Sequence, residues 1–507
     1  MKTGKPDFIV IGAGSAGCIV AAELARREAG TVLLLEAGPT DNSPIVKMPF
    51  GLVWMMGSKR RDWRYFSTPQ KGLGGRRLSV TRGRMLGGSG SINSMVWFRG
   101  RQDDFDNWQV SGWSWSDVEP AFEAIEARLT PKRMRGAHPL SEALHSIFPE
   151  HGTNPPSPEY ESSGVFAFNM VDGCRRSSAD GFIKPVPAGL KLSTGLEVDR
   201  LLFNGERAFG VRLTDGSELH ANKGVVLSAG AIGSPSILMR SGVGPRADLE
   251  KLGIDIRHDS EAIGANLHDH PAVGLHFSGP GSGYGLTLAQ MPGWALAPFR
   301  YMMTQRGRFA SPTVEGGAFF NARGLDEAPD VQTHFIPFMR DWNGKRYVYG
   351  SGYFADVGVC RPKSRGALRL TNSDPKAVPD IDLGLFNDDS DLETLVIGLK
   401  RLRTLMEQAD FGSYRAPEVF PGPSVDSDDA MRAYVGDRAA TAYHPVGTLR
   451  MGGDDESPVN ARLSVRGLGG LWVADASIMP AVTTANTNAP SMMIGYRAGQ
   501  IISEDCR

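Results

Sequence analysis

At 507 residues the chain is too long for one hydrophobic core, so two or more domains are expected. Apolar residues make up 41% and charged residues 22%, ordinary values for a globular protein; a net charge of −1 gives no reason to expect nucleic acid or an anionic membrane as partner. The four cysteines (Cys18, Cys174, Cys360, Cys506) are far apart, which argues against a disulfide framework or a metal site and for a reducing, cytoplasmic setting. The opening MKTGKPDF has no apolar leader, so no signal peptide is expected, and no stretch is long and apolar enough to span a membrane.

The first element is the apolar run Phe8 to Ile11, whose β-branched content suits a buried parallel strand. Gly12, Gly14 and Gly17 follow in GxGxxG spacing, then a helical stretch with Ala21, Ala22, Leu24 and Ala25, then a second strand, TVLLLEAG, carrying Glu36. Strand, glycine turn, helix, strand and acid together form a dinucleotide-binding unit. Its glycines admit a pyrophosphate to the helix N-terminus, where unpaired N–H groups favour an anion. Glu36 is placed to accept hydrogen bonds from a ribose. The motif alone does not separate NAD from FAD.

Next comes GRMLGGSGSINSMVWFRG, from Gly83 to Gly100. It is rich in glycine and serine, yet carries too many apolar residues for a solvated loop. A buried segment lying against a large planar ring fits better. SAGAIGSPSILMRSGVG (228–244) follows the apolar run 224–227 and reads as strand, turn and helix. LHDHP (267–271) gathers His268, Asp269 and His270, but adjacent residues rarely aim at one ion, and no metal is expected. DVQTHFIPFM (330–339) and YVYGSGYFADVGV (347–359) alternate like strands of an antiparallel sheet. Phe335, Phe338, Trp342, Tyr347 and Tyr353 are candidates for a pocket wall, with core packing the simpler role for any one. DDSDLETLVIGLKRLRTLMEQADF reads as an amphipathic helix capped by Asp388 or Asp389. TAYHPVGTLRMGG (441–453) holds a single histidine, His444. The C-terminal stretch gives a strand, Leu471 to Ala474, then Asp475, a loop, and a helix with Pro490 in its first turn.

These segments resemble, in type and order, the glucose–methanol–choline (GMC) oxidoreductases, FAD enzymes that oxidise alcohols. The likeness runs along nearly the whole chain and includes IGANLHDHP, SRGALRLTNSDP, HPVGTLRMG and VADASIMP. Within the family the look is that of the bacterial aryl-alcohol, hydroxymethylfurfural and pyridoxine oxidase types. The resemblance implies an α/β (α+β overall) fold, with a Rossmann-like FAD-binding domain and a substrate domain whose antiparallel sheet is flanked by helices. The FAD-binding domain is expected in three segments, 1–155, 191–269 and 456–507, and the substrate domain in two, 156–190 and 270–455.

The resemblance assigns FAD binding to Gly12, Gly14, Ser15, Ala16, Gly17, Glu36, Ala37 and Trp63. From the glycine-rich segment it adds Arg84, Gly87, Gly88, Ser91, Asn93, Met95 and Val96, and from the remainder Val198, Ala229, Gly230, Asp475, Ala476, Asn486 and Thr487. Some family members tether FAD through a histidine where this chain has Ile92, so non-covalent FAD is expected. LHDHP is a structural turn in the family. His444 is implied as the catalytic base and Asn486 as its partner. The chemistry agrees: a neutral imidazole takes the hydroxyl proton and an amide donates to the developing alkoxide. A helix N-cap is the plainer role for Asn486. The expected reaction is oxidation of a small primary alcohol, aromatic or heteroaromatic, to the aldehyde, with oxygen or another electron acceptor. The alternatives are a non-redox lyase of the hydroxynitrile type, a light-driven decarboxylase on the same fold, and a choline-type dehydrogenase, which would need an aromatic cage and a carboxylate.

Overall fold

The computed structural model describes residues 4–152, 154–342 and 347–506. Two sheets organise the described residues. The first is parallel and five-stranded, ordered Leu190–Thr194, Val32–Glu36, Phe8–Ile11, Gly224–Leu227 and Leu471–Val473. Its members come from the start, middle and end of the chain, and its two central strands are wholly buried. Both faces of such a sheet are covered, so Phe8–Ile11, Gly224–Leu227 and Leu471–Val473 carry no polar side chain, while the edge strand Leu190–Thr194 is partly polar. Burying each Ile or Val contributes about 1.5–3 kcal/mol.

Helix Gly17–Arg26 follows the first strand and packs against the C-terminal helix Asn488–Asp505. Gly17 is required by closeness: a Cβ there would sit 1.8 Å from the Gly12 carbonyl oxygen. Gly12 itself adopts φ +93°, open to glycine at no steric cost.

The second sheet is antiparallel. Its main order is Glu418–Phe420, Pro271–Ser278, Gly352–Val359, Val331–Ile336, Gly316–Phe320 and Ser162–Val165, with Ala440–Thr441 paired to Pro271–Ser278. Side chains of a strand alternate between faces. On one face lie Phe335, Tyr353 and Phe277, packed ring on ring. Helix Asp389–Gln408 covers that face with Leu395, Leu399 and Leu402. Its N-cap is Asp388, whose carboxylate accepts the Ser390 N–H at 2.9 Å. Gln332, His334, Ile336, Phe354 and Asp356 take the other parity, and that face looks toward the parallel sheet's C-terminal edge.

The aromatic residues suggested for a pocket wall divide accordingly. Phe335 and Tyr353 are core. Phe338 rests half-buried near Trp294. The side chains of Trp342 and Tyr347 lie outside the described residues. No helix among the described residues is long and apolar enough to cross a membrane.

Candidate active site

Between the two sheets run two cavities that meet. One, of about 210 Å³, lies over the glycine turn and is lined by Gly12, Gly14, Ser15, Ala16, Glu36, Ala37, Trp63, Gly88, Val198, Ala229, Gly230, Asp475 and Ala476. The other, of about 520 Å³, lies under the antiparallel sheet and includes Asn93, Met95, Val96, His334, Asp356, His444, Asn486 and Thr487. Ser15, Arg82, Ser89, Pro445, Ala476 and Ser491 line both, so a long ligand can run from the glycine turn to His444.

The remaining residues assigned to the cofactor from sequence stand one layer back. Gly17 packs the helix. The Arg84 guanidinium lies 4.9 Å over the Trp63 ring and pairs with Glu197 at 2.9 Å. The Ser91 hydroxyl donates to the Leu86 carbonyl at 2.7 Å, and Gly87 turns the chain with φ +85°. Two acids join distant segments. Glu36 accepts the Ala13 N–H at 3.0 Å and the Gly38 N–H at 2.8 Å. Asp475 accepts the Gly230 N–H at 2.9 Å and the Ser234 hydroxyl at 2.6 Å. Sequence reasoning missed Arg175, which is buried and donates to Gly90 O and Asn93 Oδ1 at 3.0 and 2.8 Å, pinning the glycine-rich loop. Burial lowers its pKa to about 9.

At the far end stands His444. Its backbone N–H donates to Asp269 Oδ1 at 2.9 Å, and Thr441 donates its hydroxyl to the other carboxylate oxygen. Burial raises Asp269 to about 6 despite these donors. His444 Nδ1 lies 3.1 Å from His270 Nδ1, and His270 Nε2 lies 3.1 Å from the Thr483 carbonyl. These distances fix the protons. A carbonyl only accepts, so His270 carries its proton on Nε2. Burial lowers His270 to about 4, so it has no second proton to give. His444 therefore donates from Nδ1, and its Nε2 lone pair faces the cavity. Burial first, then His270, His334 and Arg82, hold the His444 pKa well below the usual imidazole range, so the ring is neutral.

Asn486 Nδ2 lies 3.2 Å from His444 Nε2. Gln332 donates to Asn486 Oδ1 at 3.0 Å, which orients the amide. His334 Nε2 is 3.4 Å from the same oxygen, and its Nδ1 is 3.2 Å from Asp356 Oδ1. Burial opposes charge on His334, but Asp356 and the hydrogen bonds outweigh it and raise the pKa above 6.5. The helix N-cap here is Thr487, so Asn486 is not spent on capping.

LHDHP thus divides three ways. His268 is structural: its Nδ1 lies 2.6 Å from the Asn266 carbonyl, and Val482 N–H donates to its Nε2 at 2.9 Å. Asp269 holds the His444 loop, and His270 fixes the His444 ring. Among the described residues no group of three or more His, Cys, Asp or Glu is placed to hold a metal ion.

Comparison with known proteins places this geometry. Models of the GMC oxidoreductase N- and C-terminal regions match residues 6–272 and 362–495. An alcohol dehydrogenase [acceptor] of Pseudomonas putida is 34% identical over 98% of this chain and 95% of its own length. The chain belongs to the GMC oxidoreductases. An oxygen-dependent choline dehydrogenase of Rhizobium johnstonii is likewise 34% identical over 98% of the chain and 95% of that protein. Among solved structures, pyridoxine 4-oxidase from "Mesorbium loti" superposes with a TM-score of 0.87 at 28% identity, covering 97% of this chain and 98% of that one.

The protein is thus an FAD-dependent alcohol oxidoreductase, and its GMC cradle fits the cofactor. A Cβ on Gly14 would meet nothing nearer than Gly88 Cα at 4.0 Å, and one on Gly230 nothing within 4 Å, so both glycines keep space open. In the wall of the larger cavity, next to Ser15, Asn488 Nδ2 is buried without a protein partner, a donor for a ligand oxygen. The N-terminus of an 18-residue helix opens beside it, where its dipole and free N–H groups favour negative charge.

Proposed function

We propose that this GMC enzyme oxidises a small primary alcohol bearing a flat aromatic or heteroaromatic ring to its aldehyde. The observation that carries the reading is the His444–Asn486 pair, 3.2 Å apart, at the wall of a 520 Å³ cavity whose lining is largely apolar. Bound FAD supplies a hydride acceptor at its N5. The chain supplies the rest. His444 Nε2 takes the hydroxyl proton, in the tautomer that Thr483 and His270 impose. Asn486 Nδ2 donates to the oxygen as charge develops there, a contact that strengthens toward the transition state. Leu52, Met56, Ile92, Val314, Ile336 and Phe354 give the ring an apolar wall. FAD is held non-covalently: Ile92, which offers no nucleophile, stands at the position where some family members tether it.

One observation favours a second reading. The Asp356 carboxylate shares the cavity wall with Phe354, Tyr434 and Tyr443, elements of a cage for a quaternary ammonium alcohol such as choline. Asp356 already faces His334, which favours the neutral substrate.

The test is the visible spectrum of the holoenzyme without oxygen, before and after benzyl alcohol, hydroxymethylfurfural, pyridoxine and choline. Bleaching by a ring alcohol supports the first reading, and admitting air then shows whether oxygen is the acceptor. Bleaching by choline alone supports the second. A yellow protein that none of them bleaches overturns both and favours a non-redox lyase. Colour remaining on the denatured polypeptide would overturn non-covalent binding.

A further inference from the structure

Helix Met291–Thr304 is apolar almost all round, yet only Ala297 and Tyr301 of its fourteen residues are buried. Such a helix normally lies inside a core. Here Leu288, Met291, Leu296, Phe299, Met302 and Met303 are between 50% and 93% exposed. Its inner side rests on an aromatic stack: Trp294, Phe309 and Phe50 are 5.4–6.4 Å apart, centroid to centroid, and Trp54, half exposed, closes the stack. Phe50 and Trp54 flank Leu52, which with Met56 lines the larger cavity. Met56 is itself 37% exposed, so the patch reaches the wall of the substrate cavity.

The charge around the patch is mainly basic; the exposed Asp172 stands beside the helix end, where the neighbouring Gly173 carbonyl accepts the Tyr301 hydroxyl. Residues 270–314 contain no Asp or Glu, nor do residues 42–61, whereas Arg300 and Arg306 flank the helix end and Lys59 and Arg60 follow Met56. Among the described residues none of these four is in an ion pair. The net charge of −1 conceals this local asymmetry. At about 1.5 Å per residue the helix is roughly 21 Å long, too short to span a bilayer core of about 30 Å. A short helix with an apolar face and a basic rim lies instead in the plane of a lipid surface.

We propose that this patch seats the enzyme on an anionic lipid surface, with the substrate cavity opening beside the contact. Phe299, Met302 and Met303 enter the boundary between headgroups and acyl chains, while Lys59, Arg60, Arg300 and Arg306 meet the lipid phosphates.

The test is co-sedimentation of the full-length holoenzyme with vesicles of phosphatidylcholine, with and without phosphatidylglycerol, at low and high salt. The proposal expects binding to the anionic vesicles that weakens with salt. The surface variant Phe299→Ser/Met302→Ser/Met303→Ser should weaken it by about tenfold or more. Lys59→Gln/Arg60→Gln should weaken it by about fivefold per charge at low salt. Thermal melting of each variant establishes that it is folded. Failure to bind either vesicle overturns the proposal, as does binding that the triple variant retains. A concentration-dependent dimer in the ultracentrifuge that the triple variant dissociates would also overturn it, assigning the patch to a second copy of the chain. None of these readouts depends on the substrate.

Discussion

Around the glycine turn, much of what faces the cavity is backbone; under the antiparallel sheet it is side chains. The first region recognises by closeness. Gly14 keeps space open, and Glu36 and Asp475 spend carboxylate oxygens tying neighbouring amides in place. The second recognises by proton arrangement: Thr483, His270, His444, Asn486, His334 and Asp356 form one connected line of polar contacts. The two regions should therefore fail differently. A fault in the cradle should cost the cofactor, and a fault under the roof should cost the rate while the cofactor stays.

His444→Ala makes the sharpest test. Removing the base should slow anaerobic flavin reduction by alcohol by about 10²–10⁴-fold, with FAD retained at wild-type stoichiometry. A variant that reduces its flavin at the wild-type rate would remove His444 from the mechanism. Gly14→Leu is the mirror experiment. Its Cβ has room in the protein but enters the cavity, so the chain should fold and bind FAD about a hundredfold more weakly, since overpacking costs about 1–3 kcal/mol. Equilibrium dialysis against FAD, with melting temperature as control, reads it; undiminished FAD binding would mean that the cofactor does not pass over the glycine turn. Asn486→Ala removes a donor worth about 1–3 kcal/mol and should slow reduction by roughly tenfold or more, again with FAD kept.

How much of this was legible beforehand follows the same division. The cradle could be read from sequence because its chemistry is periodic: an apolar strand, glycines at fixed offsets, an acid after the second strand. The antiparallel sheet was legible as alternation in 330–359, but which parity faced the cavity was not. Phe335 and Tyr353 turned to the core, and Phe354, Asp356 and His334 turned to the site. Alternation leaves the face open until a covering element chooses it, and that element, helix Asp389–Gln408, lies some thirty residues further on. LHDHP looked like a metal decoy or a turn; its fourth residue, His270, fixes the proton on His444, a contact 174 residues away in sequence. No local spacing announces such a pair. Asn486 was recognised through its resemblance, and Thr487 as the true cap removes its plainer role.

The fixed tautomer of His444 can be released at His270. His270→Leu deletes the acceptor for the His444 Nδ1 proton and frees the ring to exchange tautomers. Flavin reduction should fall by about tenfold, the cost of an unmet buried hydrogen bond, without change in FAD affinity. Imidazole nitrogen shifts by NMR should show a single His444 tautomer in the wild type and a mixture in the variant. A single unchanged tautomer would mean that the cavity, not His270, sets the proton.

Asp356 gives the smallest effect and the clearest sign. Burial alone would hold His334 neutral, and the Asp356 carboxylate is the leading influence that reverses this. His334 thus keeps its proton to higher pH than an ordinary imidazole does. While charged, it donates from Nδ1 to Asp356 and from Nε2 to Asn486 Oδ1, polarising the amide that meets the substrate oxygen. In Asp356→Asn the burial influence loses its main opponent and the His334 pKa falls. The step in flavin-reduction rate that tracks this group should move to lower pH, with a loss of about two- to tenfold near neutrality, the worth of one weakened hydrogen bond. The same linkage acts on the fold. A histidine whose folded pKa is raised contributes stability that is complete below the unfolded value and lost as pH rises through the folded one. Wild type should therefore exceed the variant in melting temperature most at acid pH and least at alkaline pH. A rate profile and a melting difference that both ignore pH would show His334 to be neutral, and would leave Asn486 oriented by Gln332 alone.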